Sequence, residues 1–251
     1  MNHSQTALSR IDDIGGAVRG LTIHDVTPTL GPDTAMFFPN PAPQVRRFAS
    51  HETHGAAANV WELHEHTGAH VDAPFHFDPN GPTVDELPPG ILFFRPFKKF
   101  DLTALDLQPG QPLELKGLQS VANRDGLAVG AGDIVVFDFG YDKYLAGGTD
   151  ERGSEWWGRN QPGLADDTCA YLAAAGVTAV ASDTSACDLA VHDGAMSAGT
   201  GHGQHFLPKG ILIIEGLRGL GRAPATGLFV ALPLKLRAGT ASPLRVLLLT
   251  D

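Results

Sequence analysis

The sequence predicts an α/β protein with a mixed sheet and few helices, and three consecutive segments carry that prediction. Residues 133–139, which read DIVVFDF, form a continuous β-branched and aromatic run between two glycines, as buried strands do. Residues 164–175 are rich in alanine at helical spacing and end at Gly176, a common helix terminator. Residues 177–182 predict another strand. A strand, a helix and a strand in this order form the crossover unit of a parallel sheet.

The other elements follow from shorter patterns along the chain. Residues up to about 20 predict an irregular N-terminal arm with at most a short helix. Residues 114–124 have helical apolar spacing, residues 84–87 predict one helical turn, and residues 141–160 predict a Gly-rich surface excursion. Further strands are predicted over residues 21–26, 44–48, 58–65, 93–102, 211–214, 227–232 and 244–249. The sequence contains no domain linker, so we expect one domain over residues 1–251.

Composition and charge exclude several classes of partner. The 251-residue chain has 43% hydrophobic and 18% charged residues, which is ordinary for a globular protein. Its net charge of -10 disfavours nucleic acid and anionic membranes. No apolar run reaches the length of a bilayer span, and the first residues lack the apolar core of a signal peptide. Cys169 and Cys187 are expected to be reduced, buried thiols, so we predict a cytoplasmic protein.

The stretch HEHTGAHVDAPFH, residues 64–76, concentrates side chains that bind metals. Four of the chain's 11 histidines lie in it beside Asp72. A glycine and a proline within it argue against a helix. In an extended segment His70, Asp72 and His76 would share one face, and His66 could join them across the glycine bend. A lone histidine is usually a solvated side chain, but crowding on this scale predicts a cation among imidazoles and a carboxylate.

Residues 66–76, HTGAHVDAPFH, resemble the signature His-x-Gly-Thr/Ala-His-x-Asp-x-Pro-x-His of the cyclase-type metal-dependent hydrolases. That family includes bacterial kynurenine formamidase and isatin hydrolase. The resemblance implies a swivelling β/β/α fold, a homodimer or homotetramer, and hydrolysis of an amide-like C–N bond. It assigns metal ligation to His66, His70 and Asp72. His76 could then act as the general acid or base, since an unperturbed imidazole has a pKa of about 6.5.

The same resemblance raises the question of a second cation. Formamidases of this family hold one with a His and a Glu at a fixed spacing. Glu215 matches the Glu and joins the candidate ligands, but the His position falls on Gly203. We therefore predict one cation per chain, either Mn²⁺ or Zn²⁺. His202 and His205 flank Gly203 and are candidates for catalysis, and a one-residue shift could bring either within reach of Glu215.

The substrate is predicted to be a small amide. The chain resembles isatin hydrolases in length and in its closing strand, so we favour ring-opening of a cyclic amide. Hydrolysis of N-formylkynurenine is the alternative, and a non-catalytic metal-binding protein is a further one. Phe37 and Phe38 lie in a Pro-rich loop without periodicity, residues 31–43. Such loops are often functional, so these side chains could line a substrate pocket, or they could pack in a core or an interface.

Overall fold

The structure is a computed structural model that describes residues 3–189, 191–192, 195–196 and 199–251. Its α-helices are α1 (His3–Gly20), α2 (His51–His54), α3 (Leu115–Asp125), α4 (Ser154–Arg159) and α5 (Asp166–Ala175). Gly201–Phe206 forms a short π-helix, a rare wide turn that is found mostly at functional sites. Pro74–His76 and Val84–Glu86 are single turns of 3₁₀-helix. Within the described residues, no helix is long and apolar enough to cross a lipid bilayer.

Most strands belong to one curled, mixed sheet. The strands in chain order are β1 (Thr22–Asp25), β2 (Gln44–Ala49), β3 (Ala58–Glu62), β4 (His70–Asp72), β5 (Phe93–Asp101), β6 (Pro112–Leu113), β7 (Ile134–Asp138), β8 (Gly163–Leu164), β9 (Ala179–Ser182), β10 (Val191–His192), β11 (Ala195–Met196), β12 (Leu212–Glu215), β13 (Thr226–Ala231), β14 (Ala241–Pro243) and β15 (Val246–Thr250). Nine of them form the main sheet, in the order β1-β15-β13-β5-β7-β9-β12-β4-β14. The central strands β5, β7, β9 and β12 are parallel, and their neighbours are antiparallel. The predicted fold class is therefore confirmed.

The parallel strands are buried on both faces, which explains their unbroken apolar sequences. In β7, Ile134 and Val136 pack into one core, and Val135 and Phe137 pack into the other. The first core lies within the curl of the sheet, because it also contains side chains from β4, β13 and β15. The second core is covered by α3 and α5. The predicted crossover from β7 through α5 to β9 is thus the centre of the molecule.

Two predictions about irregular segments are wrong. Residues 3–20 form the continuous helix α1 instead of a loose arm. This segment contains no proline, and its alanine, leucine and arginine residues favour a helix despite its glycines. Residues 141–160 do not all lie on the surface, because the side chains of Tyr141, Tyr144 and Trp157 are buried in the second core. Large aromatic side chains contribute strongly to a core through the area that they bury.

Candidate metal centre

The candidate site begins where β12 ends beside β4. These strands are antiparallel, and Glu215 lies directly opposite His70. Directly opposite residues project to the same face of a sheet, and Asp72 shares that face because it follows His70 by two positions. His70 Nε2 consequently lies 3.4 Å from Asp72 Oδ1 and 3.6 Å from Glu215 Oε2. The ladder between the two strands therefore sets the spacing of all three side chains.

The orientation of the His70 ring is fixed from outside the site. His70 Nδ1 donates a hydrogen bond to the carbonyl of Gly68 at 2.9 Å. A carbonyl can only accept, so Nδ1 carries a proton and Nε2 is the nitrogen that faces Asp72. Gly68 has a φ of 60°, and a Cβ there would lie 2.5 Å from a Leu30 methyl carbon. Only glycine fits this turn, which explains the fixed glycine of the motif.

His66 is fixed in the same manner by a second outer contact. Its Nε2 lies 3.2 Å from Thr240 Oγ1. The Thr240 hydroxyl donates its own proton to Glu65 Oε2 at 2.6 Å, so it accepts the proton of His66 Nε2. His66 Nδ1 therefore presents a lone pair to Asp72 Oδ1, 2.8 Å away. Outer hydrogen bonds of this kind fix the tautomer of histidines that bind metals.

His202 reaches the same point from the π-helix. Its Nε2 lies 3.2 Å from Glu215 Oε1 and 3.5 Å from Asp72 Oδ2. Its Nδ1 donates to Asp188 Oδ1 at 2.9 Å, so Nε2 is the nitrogen that faces the site, and it carries the lone pair when the ring is neutral. The wider turn of the π-helix brings His202, and not Gly203, to Glu215. The position of Gly203 was the reason for predicting a single cation, and the structure removes that reason.

Asp72 lies at the centre of these contacts without a hydrogen-bond donor. The residue is 1% exposed, and within the described part of the chain neither carboxylate oxygen receives a hydrogen bond. Burial of an unpaired carboxylate is costly, and the lone pairs of neutral imidazole rings would repel it unless a proton or a cation lay between them. A cation among these atoms would remove both costs. The residues therefore fit a metal. Three groups of side chains in the described residues have donor atoms within 4.8 Å of one another, namely His66, Asp72 and His76, then His70, Asp72 and Glu215, and then Cys187, Asp188 and His202.

The pKa values in the site reflect the same concentration of charge. Burial opposes a charge on His202, but Asp188, Asp72 and Glu215 together raise its pKa well above the usual value. Burial would raise the pKa of Asp72, but His66 and His202 hold it well below the usual value. Protons thus bind at the positions where a cation would bind, and the two are expected to compete.

His76 lies in the same cavity but has a different environment. Its ring centroid is 4.2 Å from that of His66 and 4.8 Å from that of Phe77. Burial lowers the pKa of His76 to about 4, although the nearby Asp72 opposes that change. His76 is therefore neutral at neutral pH. A neutral imidazole can accept a proton, as a general base must.

A cavity of about 720 Å³ opens over these side chains. Its walls include Phe37, Leu63 and Phe77, and Asn40 and Thr240 add polar groups. A concave, mostly apolar space of this size with a few convergent polar groups suits a small molecule. The structure thus places Phe37 at the wall of the cavity.

Two other predicted site residues lie elsewhere. The Nε2 atom of His205 is 2.8 Å from Asp166 Oδ1, on the exposed side of α5, so the structure does not bring His205 to the site. The wide π-helical turn separates the side chains of His202 and His205, although a regular turn would place residues three apart on one side. Phe38 packs under the guanidinium of Arg159, whose carbon lies 3.5 Å from the ring centroid, and is not part of the cavity wall. The predicted roles of His205 in catalysis and of Phe38 in substrate contact are therefore corrected, since neither residue lines the cavity.

Sequence reasoning assigned no role to the residues that hold the candidate ligands in place. Glu65 accepts hydrogen bonds from both the backbone and the hydroxyl of Thr240, and Asp188 holds His202. The polar run at residues 183–188 was a signal for Asp188, because polar residues after a parallel strand often line a site. Nothing in the sequence indicates Thr240, since it lies far along the chain from the motif.

The chain is similar in sequence to a known protein family. The Cyclase family model matches residues 24–189. Kynurenine formamidase of Salinibacter ruber (strain DSM 13855 / M31) is 27% identical over 236 residues, which cover 91% of this chain and 97% of that protein.

Solved structures match over nearly the whole chain. A crystal structure of an isatin hydrolase bound to the product analogue thioisatinate has a TM-score of 0.82 at 24% identity and covers 99% of both chains. A structure described as a potential metal-dependent hydrolase with cyclase activity has a TM-score of 0.70 at 25% identity, covering 92% of this chain and 99% of that one. These likenesses agree with the swivelling β/β/α fold that the motif implies.

Proposed function

The chain belongs to the Cyclase family, and from that premise we propose that it is a metal-dependent hydrolase that cleaves an amide C–N bond. The observation that carries the proposal is the buried Asp72 carboxylate. It receives no hydrogen bond within the described residues, and one ring nitrogen each of His66, His70 and His202 faces it at 2.8 to 3.5 Å. A bound divalent cation would lower the pKa of a water molecule to roughly 7 and polarise the carbonyl under attack.

The arrangement of donors supports two cations that share Asp72. His66 and Asp72 would hold one of them, next to the cavity. His70, Glu215 and His202 would hold the other, because the Nε2 atoms of both histidines lie within 3.6 Å of the Glu215 carboxylate. Imidazole and carboxylate ligands suit both Mn²⁺ and Zn²⁺, so either metal is compatible with this set.

The residues around the ligands would bind the substrate and move protons. His76 is neutral, so it would accept a proton from the attacking water and return it to the leaving nitrogen. Phe37 and Phe77 would cover the apolar part of the substrate. Their positions on the cavity wall would also exclude bulk water, which strengthens electrostatic interactions within the site.

A cyclic amide is the substrate class that we favour. The similarity to an isatin hydrolase over 99% of both chains supports ring-opening. Hydrolysis of N-formylkynurenine is the second candidate. It is supported by the sequence similarity to a kynurenine formamidase and by His202, which brings an imidazole to Glu215 as the formamidase pattern requires.

A direct test measures metal content and turnover on the same samples. We expect His66→Ala, His70→Ala and Asp72→Ala to lose bound metal by elemental analysis, whereas His205→Ala retains it. Wild type loaded with Mn²⁺ or with Zn²⁺ is then assayed on a panel of cyclic amides and formamides. Full metal occupancy in the three ligand variants would contradict the site. Stable metal binding without turnover of any amide would instead favour the non-catalytic alternative.

A further inference from the structure

The loop after β9 forms hydrogen bonds to Glu215 and to His202, two candidate ligands of the same cation. The backbone N–H of Cys187 donates to Glu215 Oε1 at 2.8 Å. The carboxylate of the next residue, Asp188, accepts the proton of His202 Nδ1. We propose that Asp188 is a positioning residue, which fixes His202 so that its Nε2 and Glu215 bind one cation together. This inference rests on the metal binding of the proposed function, not on its substrate.

Asp188 holds both the ring and the backbone of His202. Its Oδ1 lies 2.9 Å from His202 Nδ1, and its Oδ2 accepts the backbone N–H of His202, also at 2.9 Å. One carboxylate therefore sets the tautomer and the rotation of the ring, and it also fixes the position of the first turn of the π-helix. A carboxylate behind a histidine in this manner is the usual support of a metal-binding imidazole.

The surroundings of Asp188 are built to hold this carboxylate in one place. Its backbone pairs with Leu164 of β8, and the residue is 1% exposed. A Cβ at Gly201 would lie 2.7 Å from Asp188 Oδ2, and one at Gly199 would lie 3.4 Å from the same atom. The two glycines thus let the main chain of residues 199–203 close around the carboxylate. Such a close approach is a recognised use of glycine.

The chain contains a matched pair that separates positioning from ordinary stabilisation. His205 and Asp166 form a contact of 2.8 Å from the other side of the same π-helix, and Asp166 faces solvent. This pair has the same chemistry as His202 and Asp188, but it lies outside the cavity. Replacement of Asp166 therefore removes a His–Asp contact of the π-helix without touching a candidate ligand.

The experiment titrates metal-free protein with Co²⁺ alone, followed by its visible spectrum and by calorimetry. An asparagine side chain has one acceptor oxygen where Asp188 offers two, so in Asp188→Asn either the ring or the backbone of His202 loses its partner. We expect wild type and Asp166→Asn to bind two equivalents with the same spectrum. Asp188→Asn should bind the second equivalent roughly 10–100-fold more weakly, with altered visible bands. In a His202→Ala background, Asp188→Asn should cause no further loss.

Gly201→Ala provides a second route if Asp188→Asn does not fold. It keeps both side chains but crowds the carboxylate, so it should also weaken the second equivalent. The proposal is overturned by wild-type affinity and spectrum in Asp188→Asn, by an equal effect of Asp188→Asn in the His202→Ala background, or by a single Co²⁺ equivalent in wild type. A failure to hydrolyse amides would not alter these readings, so the two proposals fail separately.

Discussion

Gly201→Ala is the perturbation whose effect the structure specifies most closely. The added methyl carbon would lie 2.7 Å from Asp188 Oδ2, 2.9 Å from Asp188 Cβ and 2.9 Å from Phe206 Cε2. Real Cβ atoms do not approach neighbours this closely, so something must move. Phe206 is fully buried and Asp188 is 1% exposed, which means that neither can turn into solvent. The strain must therefore fall on the π-helix and on the contact between Asp188 and His202.

The expected magnitude follows from this overlap. Overpacking of a filled interior costs about 1–3 kcal/mol, and alanine returns about 0.5–1 kcal/mol relative to glycine within a helix. The middle of these two ranges gives a net loss of about 1 kcal/mol. For a protein of this size each kcal/mol lowers the melting temperature by about 2–4 °C, so we expect a decrease of about 2–4 °C.

Gly203→Ala is the matched control in the same π-helix. A Cβ at Gly203 would meet only Phe77 Cδ1, at an ordinary distance of 3.6 Å. Its melting temperature should equal or slightly exceed that of wild type, because alanine favours helical backbone. Both variants are measured by circular dichroism on metal-free protein, so that cation binding does not contribute. Equal melting temperatures for Gly201→Ala and Gly203→Ala would refute the close packing of Asp188 against the glycine.

Four further predictions concern the cavity, the core and assembly. His76→Gln should keep the metal by elemental analysis and lower kcat by roughly 10²–10⁴-fold, and loss of metal would reassign His76 as a ligand. Phe37→Ala should raise KM roughly tenfold through lost apolar contact, whereas Phe38→Ala should not, and equal effects would contradict the cavity wall. Burial raises the pKa of Asp183 to about 8 from 3.8. Between these pH values the folded protein holds a proton that the unfolded chain releases. The free energy of unfolding should therefore fall as pH rises, by up to about 1.4 kcal/mol per pH unit. Asp183→Asn should flatten this slope in urea unfolding from pH 5 to pH 8, and an unchanged slope would count against it. Light scattering should give the mass of a dimer or tetramer. Trp61→Ser, on the exposed β2–β3 hairpin, should lower that mass. A monomeric wild type would exclude the assembly.

The sheet and the motif could be predicted from sequence because their signals are local. The sequences of β7 and β12 consist almost entirely of apolar residues, so their composition alone predicts that both strands are buried. The spacing of His70 and Asp72 in an extended segment places both on one face, whatever the rest of the chain does. Three-residue β14 gave no comparable signal, since it has no apolar run and ends in proline.

The register of His202 could not be predicted because it depends on a distant contact. Counting from Glu215 points to Gly203, and the count is correct only if the intervening turns are regular. The π-helix changes the count, and Asp188, which belongs to a different loop, holds that helix. The position of His205 follows from the same irregularity. Spacing along a chain therefore identifies the candidate ligands but not which of two neighbouring histidines faces the site.

The candidate ligands lie on two parts of the fold that differ in local stability. His70, Asp72 and Glu215 stand on adjacent strands of the central sheet, where backbone amides open only when the whole domain unfolds. His202 depends on a short π-helix held by side-chain hydrogen bonds, and segments of this kind open at a lower free energy. On heating, we expect inactivation to precede melting, with hydrogen exchange appearing first at residues 201–206 and last in β12. A warmed, inactive sample would then keep its sheet and recover when it is cooled with fresh metal.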